Sequence, residues 1–530
     1  QKIVGIVQSL SETSAFASKA APIINTYGGY RVPSSFLNLL HWTGERTFTS
    51  LPSVLHAWFR ELPKRLPAPA NMEVPAPANQ TAIKTSWTAT PETELLDRAK
   101  QLIETGKRVL ILTPWKTRLE RFQTALPTSL CLHSEQNAGD YATTWQTFMR
   151  TPESCLISTR IGAWLMPFAD YILIDEPEND DHKQDELAPR YDVRKMAAWM
   201  ATTQGTPLEI FGITPALHVM SEPPTIQGDI RVFVRHPRGR SVIPSIQLDT
   251  LTALQEHEGP KTIIHPIRGL LARLTCRDCS WQATCPTCGY GVALDATGAV
   301  CRLCKKSVDV PPECPRCGNI DLGKSFPGID RLKLAWETHG EGIDVSWRDL
   351  SNEQLDAPFA PHSFVLITLA SLLGGVSEDI RRHERQCVAL RRVAARVTAV
   401  DGVLALQGEE EEVTTWLSWL TTAGVQALFE TERAARKLFR YPPSIRRIKL
   451  LLDLPPDQAL AWKDRVAPHL PPTLRWDGPF RSPQGTPEQR KRTIWHLLAE
   501  PSVTEASLIE LLTPFANEAK IDLDPSAFFK

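Results

Sequence analysis

Residues 276–318 read CRDCSWQATCPTCGYGVALDATGAVCRLCKKSVDVPPECPRCG, with eight cysteines in four Cys-x-x-Cys pairs. The pairs are Cys276/Cys279, Cys285/Cys288, Cys301/Cys304 and Cys314/Cys317. Two thiolates two residues apart can turn back on a knuckle and supply two corners of a tetrahedron. Two such pairs complete one four-thiolate zinc site, so four pairs make two sites. Pro286, Gly289, Pro315 and Gly318 stand where tight knuckle turns need them. Disulfides and unligated core thiols are the alternatives. Disulfides suit small secreted domains, and this long chain shows no secretory signal. Four thiolates per metal leave no open position for water, so both zinc sites read as structural.

The other three cysteines, Cys131, Cys155 and Cys387, are unpaired in sequence, which fits a reducing cytoplasm. With 530 residues the chain is long enough for three or four domains. A hydrophobic content of 42% and a charged content of 22% are ordinary for a globular protein. No apolar run approaches a membrane span in length. A net charge of −1 names no partner, so any nucleic-acid surface must come from local clusters. The chain opens at Gln1 rather than Met, which points to a trimmed or incomplete N-terminus.

Upstream of the cysteines, KIVGIVQSL (residues 2–10) alternates like a strand. Residues 34–62 carry helical apolar spacing through Phe36, Leu37, Leu39, Leu40, Val54, Leu55, Trp58 and Phe59. Five prolines between Pro63 and Pro77 mark residues 63–80 as an extended linker. From residue 81 strands alternate with helices: 108–113, 154–159, 171–176 and 208–212 read as strands, and 95–101 as a helix. That alternation implies a parallel sheet with helices on both faces. The carboxyl ends of its strands are where ligand groups gather. Asp175 and Glu176 stand at one such end, as the carboxylates that hold Mg²⁺ in many ATPases do, although acidic strand ends are common and a solvated loop is the alternative reading. The helix start that should cradle phosphate reads Ser86-Trp-Thr-Ala-Thr-Pro-Glu-Thr-Glu94, with neither glycine nor lysine. Without glycine the backbone cannot wrap phosphate oxygens, and Glu92 and Glu94 repel them. An ordinary capped helix start is the better reading there.

At the second strand-and-helix set (226–430), into which the cysteine stretch is inserted, the order of features resembles the primosomal protein N′ (PriA) family of superfamily 2 DNA helicases. The resemblance runs nearly end to end. It rests on KIVGIVQSLSETS, Leu132–Ser134, residues 157–176, 183–191, Thr214-Pro215, 274–289, Asp379 to Arg385, 432–444, 491–500 and 520–525. It implies an α/β fold of two RecA-like helicase lobes with an inserted two-zinc module and an α+β C-terminal domain. The implied divisions are a partial N-terminal DNA-binding domain (1–62), the linker (63–80), lobe 1 (81–225), lobe 2 (226–430) with the zinc module at 274–322, and a C-terminal domain (431–530). It also implies the cysteine partition: Cys276, Cys279, Cys314 and Cys317 around one Zn²⁺, and Cys285, Cys288, Cys301 and Cys304 around the other.

Where the chain departs from the family, the nucleotide machinery is affected. The family's Thr-Gly-Ser-Gly-Lys-Thr-Glu falls on Thr88 to Glu94, with Ala89, Pro91 and Glu92 replacing both glycines and the lysine, and with Thr93 retained. The family's Asp-Glu-Glu-His falls on Asp175, Glu176, Pro177 and Glu178, without the histidine. Arg396 survives from the motif on Arg392 to Ala399, but Ala399 replaces its second arginine. Loss of such an arginine typically costs roughly 10³–10⁵ in rate. The linker is too short for the winged helix that the family places there.

The resemblance thus implies a helicase-shaped protein that binds forked or single-stranded DNA or a primosome partner in the cytoplasm, at the nucleoid. It does not pump, and ATP and Mg²⁺ are in question as its ligands. Asp175, Glu176, Thr93 and Arg396 are then vestiges of the motor. An active helicase with a non-standard nucleotide site and a pure protein-interaction platform are the alternatives. Arginines 381, 382, 385, 391, 392 and 396, with Arg446-Arg447 and Arg490-Lys491-Arg492, read by themselves as solvated faces, and with the resemblance as candidate phosphate contacts. Trp281 and Tyr290 are candidates for stacking on bases or for packing on the knuckles.

Overall fold

A computed structural model describes residues 33–58, 83–185, 187–217, 221–234, 243, 246–267, 271–274, 276, 281, 283–287, 291–295, 298–301, 306–320, 322, 324–340, 342–349, 352–368, 380–481 and 492–525. The strand expected at 2–10 and the linker at 63–80 lie outside these residues. Two compact units divide the rest. Among described residues, 33–58, 83–86, 91–212 and 503–525 form the first, and 87–90 and 213–502 form the second.

The first unit is built on a six-stranded sheet of β1 (Ile83–Trp87), β2 (Val109–Leu112), β3 (Leu130–Leu132), β4 (Cys155–Ser158), β5 (Tyr171–Asp175) and β6 (Leu208–Gly212). The spatial order is β1-β6-β5-β2-β4-β3, and β2, β3, β4, β5 and β6 pair in parallel. Strands β2, β4, β5 and β6 are short, mostly apolar runs because both faces are covered there. Alternate residues go to opposite sides. Leu110, Leu112, Leu156, Ile172 and Ile174 enter one core. Val109, Ile111, Cys155, Ile157 and Leu173 enter the other. The second face is covered by α3 (Pro91–Glu104) and α4 (Lys116–Ala125), through Leu95, Ala99, Leu102, Leu119 and Phe122. The first is covered by α5 (Ala138–Arg150), a 3₁₀ run at Arg160–Phe168 and α6 (Val193–Gln204). Gly162 in that run is obligatory, since a Cβ there would sit 2.4 Å from the Ser158 Cβ.

Two further helices lie before the expected division at residue 62. Helices α1 (Ser34–Arg46) and α2 (Leu51–Trp58) bury Phe36, Leu39, Leu40, Val54 and Trp58 in the same core as α5 and α6. Phe36 meets Trp58 at 4.4 Å and Phe168 at 6.0 Å between ring centroids. The described part of 1–62 therefore packs as a layer of the first unit, with its apolar stripe buried in that core.

The second unit holds a parallel sheet in the order β13-β8-β14-β15-β7. Its strands are β7 (Asp229–Val234), β8 (Lys261–Ile264), β13 (Ser346–Arg348), β14 (Phe364–Thr368) and β15 (Val403–Gly408). One face packs on α10 (Arg382–Thr398), α11 (Glu410–Ser418) and α12 (Thr422–Leu438), and the other on α7 (Leu248–Glu256) and α8 (Ile329–His339). A short α9 (Asn352–Asp356) lies between β13 and β14 in the chain. The cysteine stretch sits on an antiparallel sheet ordered β11-β10-β9-β12, made of β9 (Leu271–Leu274), β10 (Val292–Asp295), β11 (Gly298–Cys301) and β12 (Lys324–Pro327). Past α12, β16 (Arg446–Leu452), β17 (Arg475–Arg481) and β18 (Thr493–Ala499) pair antiparallel as β17-β18-β16, with α13 (Pro456–Val466) between β16 and β17 in the chain.

The other expected divisions fall at 225/226 and 430/431. The first unit ends at residue 212 rather than 225, where β6 ends. The division at 430/431 falls inside α12, a continuous helix that buries Val425, Phe429 and Arg436. The expected 431–530 domain thus begins within that helix. Its last described elements, α14 (Glu505–Leu512) and β19 (Lys520–Asp522), group with the first unit. There Lys183 contacts both Asp522 carboxylate oxygens, at 2.7 and 2.8 Å, and Arg46 pairs with Glu505 and Asp524. Among the described residues no helix is long and apolar enough to cross a membrane.

Candidate functional site

Strand β5 runs as Tyr-Ile-Leu-Ile through the core and delivers Asp175 at its carboxyl end, where the side chain is fully buried. Glu176 follows with a left-handed φ of 47°, uncommon outside glycine. Its N–H donates to the Phe211 carbonyl at 3.0 Å, and its side chain is also buried. Two adjacent buried carboxylates need compensation, because desolvation disfavours the charged form.

The compensation comes from α4. Arg118 is 1% exposed and turns its guanidinium onto the pair. Nε and Nη2 donate to the two Asp175 oxygens, the second at 2.7 Å. Nη1 lies 3.2 Å from Glu176 Oε1 and 3.5 Å from Glu92 Oε2. The Phe122 ring, one helical turn on, lies 5.2 Å from the guanidinium carbon. The Thr113 hydroxyl, at the end of the neighbouring β2, donates to Asp175 Oδ2 at 3.0 Å. Arg121 shares a face of α4 with Arg118 and grips Glu92 with two parallel bonds of 2.8 and 2.7 Å. Burial pushes the Asp175 carboxyl above its usual range, against the pull of the Arg118 charge and hydrogen bonds.

The segment behind the pair is also fixed. His182 is fully buried, and burial lowers its pKa to about 4. The ring is therefore neutral at pH 7, and Nε2–H donates to the Asp175 carbonyl at 2.7 Å. Arg194 Nη1 donates to the carbonyls of Pro177 and Asn179 at 2.7 and 3.2 Å. Arg194 also forks onto Asp192, the N-cap of α6.

Of the residues expected from sequence, the structure thus brings Asp175 and Glu176 together. Thr93 is exposed on the first turn of α3. Arg396 lies in the second unit, where it donates to the Leu355 carbonyl at 2.6 Å and pairs with Asp356. Arg118, Arg121 and His182 are not among the expected residues. The only sequence signal for the arginines is their spacing of three on an amphipathic helix, which by itself reads as a solvated face.

The expected basic surface is corrected in part. Arg391 is fully buried and donates to Thr214 Oγ1 at 3.0 Å, to the Trp419 carbonyl at 2.8 Å and to the Pro224 carbonyl. Arg392 and Arg447 are buried as well, the latter paired with Asp477. Arg381 pairs with Glu384 at 3.3 Å and Arg492 with Asp453 at 2.5 Å. Arg382, Arg385 and Arg446 are half-buried, and Arg490 and Lys491 lie outside the described residues.

In the cysteine stretch, the sulfur atoms of Cys276, Cys314 and Cys317 lie within 4.8 Å of one another. Cys276 and Cys317 are 3.5 Å apart, sulfur to sulfur. This cluster can hold a metal, since thiolates about 2.3 Å from one zinc approach each other to this degree. The knuckles repeat one backbone bond, from the first cysteine of a pair to the carbonyl five residues on: Cys276 to Trp281 at 2.7 Å, Cys301 to Lys306 at 2.9 Å and Cys314 to Asn319 at 2.8 Å. The Arg316 N–H points at Cys314 Sγ, 3.4 Å away. Gly318 closes its knuckle at φ 73°, a conformation that favours glycine. Cys285 and Cys301 are buried in one small core with Ala283, Val292 and Ala299, against which Trp281 packs. Cys279, Cys288, Cys304 and Tyr290 lie outside the described residues.

No family model matches the chain. Three of its curated relatives are named replication restart protein PriA. The protein of Synechocystis sp. is 23% identical over 278 residues, 46% of this chain and 33% of that protein. The Bacillus subtilis protein is 22% identical over 276 residues, 46% of this chain and 34% of that protein. The Chlamydia muridarum protein is 21% identical over 432 residues, 70% of this chain and 57% of that protein. The chain is PriA-like, and the matched region spans from a third to just over half of the length of these relatives.

Proposed function

We propose that this chain is a replication-restart factor that binds forked or single-stranded DNA, assists primosome assembly and does not use ATP to translocate. The similarity to replication restart proteins supports the process. The observation that carries the absence of a motor is the placement of Arg118 and Glu92. In this reading the two units are helicase lobes, and Asp175, Glu176, Thr93 and Arg396 are remnants of a nucleotide site. A Mg²⁺-nucleotide would need the carboxylate oxygens that Arg118 holds. Its phosphates would meet Glu92 where a lysine neutralises them in working motors. Arg396, bound to Asp356, is engaged elsewhere.

The cysteines would hold two structural Zn²⁺, one on Cys276, Cys279, Cys314 and Cys317 and one on Cys285, Cys288, Cys301 and Cys304. Bound zinc there pins the knuckles, and the cysteine residues do no further chemistry. Two equivalents of zinc released on thiol modification support the assignment, and one equivalent or none contradicts it. Such a protein works in the cytoplasm, at the nucleoid.

One observation favours a second reading. The burial of Arg391, Arg392 and Arg447 removes much of the expected phosphate-binding charge, as a protein-interaction platform would allow. Fork-DNA affinity measured against salt separates the two. Phosphate contacts make log K fall by about 0.9 per contact per decade of salt, and a platform gives a flat, weak response.

A further inference from the structure

We propose that Arg118 is the resident cation of the β5 carboxylates: it supplies permanently the positive charge that a divalent ion would bring, and a divalent-ion site lies latent beneath it. This rests on the non-motor reading above and names what replaces the metal.

Three carboxylates, Glu92, Asp175 and Glu176, converge on this one guanidinium, and all three of its nitrogens are directed at them. Arg118, Asp175 and Glu176 are each no more than 1% exposed, so solvent does not share the load. The planar fork matches the carboxylate of Asp175, the Thr113 hydroxyl takes a further lone pair, and Phe122 backs the cation. Arg121 neutralises Glu92 from the other side, which frees Arg118 to serve the deeper pair. A guanidinium keeps its charge at every working pH and, unlike a metal ion, cannot be removed by chelation. The same oxygens, released from Arg118, would form a compact set of hard oxygen ligands of the kind that binds Mg²⁺ or Mn²⁺.

The test compares wild type, R118A and R118K in buffer freed of divalent ions without chelator, so that cysteine-bound metal stays. Mn²⁺ binding is read from the loss of the free Mn²⁺ resonance signal, and stability from hydrogen exchange of the 171–185 peptide and from Tm. Wild type should bind no Mn²⁺ at this site, and its Tm should be indifferent to Mg²⁺ and Mn²⁺. R118A should lose Tm by about 4 °C or more. It should also lose protection at 171–185, gain one Mn²⁺ site and recover protection when Mn²⁺ is added. The double variant E92Q/R118A should bind that Mn²⁺ more weakly. R118K keeps the charge without the fork; it should be intermediate in Tm and insensitive to Mn²⁺, and it carries the test if R118A does not fold. R118A as stable as wild type and blind to Mn²⁺, R118K rescued by Mn²⁺, or a wild-type protein that itself takes up Mn²⁺ at 171–185 would each overturn the proposal. ATP hydrolysis by wild type would instead overturn the non-motor reading, and the two failures are distinct.

Discussion

Arginine is the residue on which sequence and structure diverge most. In a helix such as α10, five arginines look like one cationic face, and charge runs are usually solvated. The face that each side chain takes is decided by tertiary partners that local sequence does not contain. Arg391 meets Thr214, 177 positions away, and Arg118 meets Asp175, 57 positions away. No periodic pattern announces either contact. The acidic pair itself is legible, because an apolar strand that ends abruptly in Asp-Glu sets two carboxylates at the carboxyl ends of a parallel sheet, where ligands are held. The donors of Arg391 satisfy buried carbonyls, so removing them leaves those acceptors unpaired. Arg391→Met should destabilise the second unit by about 3 kcal/mol. It should leave the salt slope of DNA binding as in wild type. Denaturant unfolding and a binding titration at several salt concentrations check both. A reduced slope with unchanged stability would return Arg391 to the DNA-facing surface.

Among the elements, the strands that sequence anticipates are those with unbroken apolar runs, β2, β4, β5 and β6. Strands β1 and β3 escape it: Ile-Lys-Thr-Ser-Trp and Leu-Cys-Leu are short edge strands with little pattern. Helices α1 and α2 are legible as helices but not as part of the first unit, because the proline-rich stretch after them looks like a boundary. Helix α6 shows how one cap anchors a site. Asp192 accepts from the Arg194 N–H at 2.9 Å and pairs with the Arg194 guanidinium at 2.7 Å. Burial works to raise the Asp192 pKa, but the Arg194 charge and hydrogen bonds override it and hold the carboxyl well below the usual range. A carboxyl depressed in the folded state adds stability that is present above the unfolded pKa of about 3.9 and is lost as pH falls below it. Asp192→Asn keeps an N-cap acceptor but not the charge. It should cost about 2 kcal/mol at pH 7 and flatten the loss of stability below about pH 4. Stability curves for the two proteins that stay parallel through that range would contradict the assignment.

For the whole molecule, the main surprise in chain order is that residues 503–525 return to the first unit. Asp522 and Asp524 engage Lys183, Asp524 also pairs with Lys195 at 2.7 Å, and Arg46 joins both Glu505 and Asp524. Lys183 follows directly on His182, so the C-terminal segment braces the backbone behind Asp175. Ending the chain after residue 502 should therefore leave Lys183 and Arg46 buried without these partners. Hydrogen exchange should then accelerate in β5 and α6, while β14 and β15 keep their protection; uniform loss across both units would contradict this account. The first parallel sheet and the cysteine knuckles are legible in the sequence because each rests on local pattern, whereas the second sheet is implied only by the resemblance. The return of the C-terminus and the arginine beneath the carboxylates rest on contacts distant in the chain, and are not. Under the proposed function, Arg118 stands where a motor would carry metal and nucleotide. The measurement that tests it most directly is ATP hydrolysis by the protein, purified in the presence of zinc, with and without a model fork. The account predicts no DNA-stimulated turnover above the blank, and a turnover on the order of 1 s⁻¹, within the usual enzyme range, would contradict it.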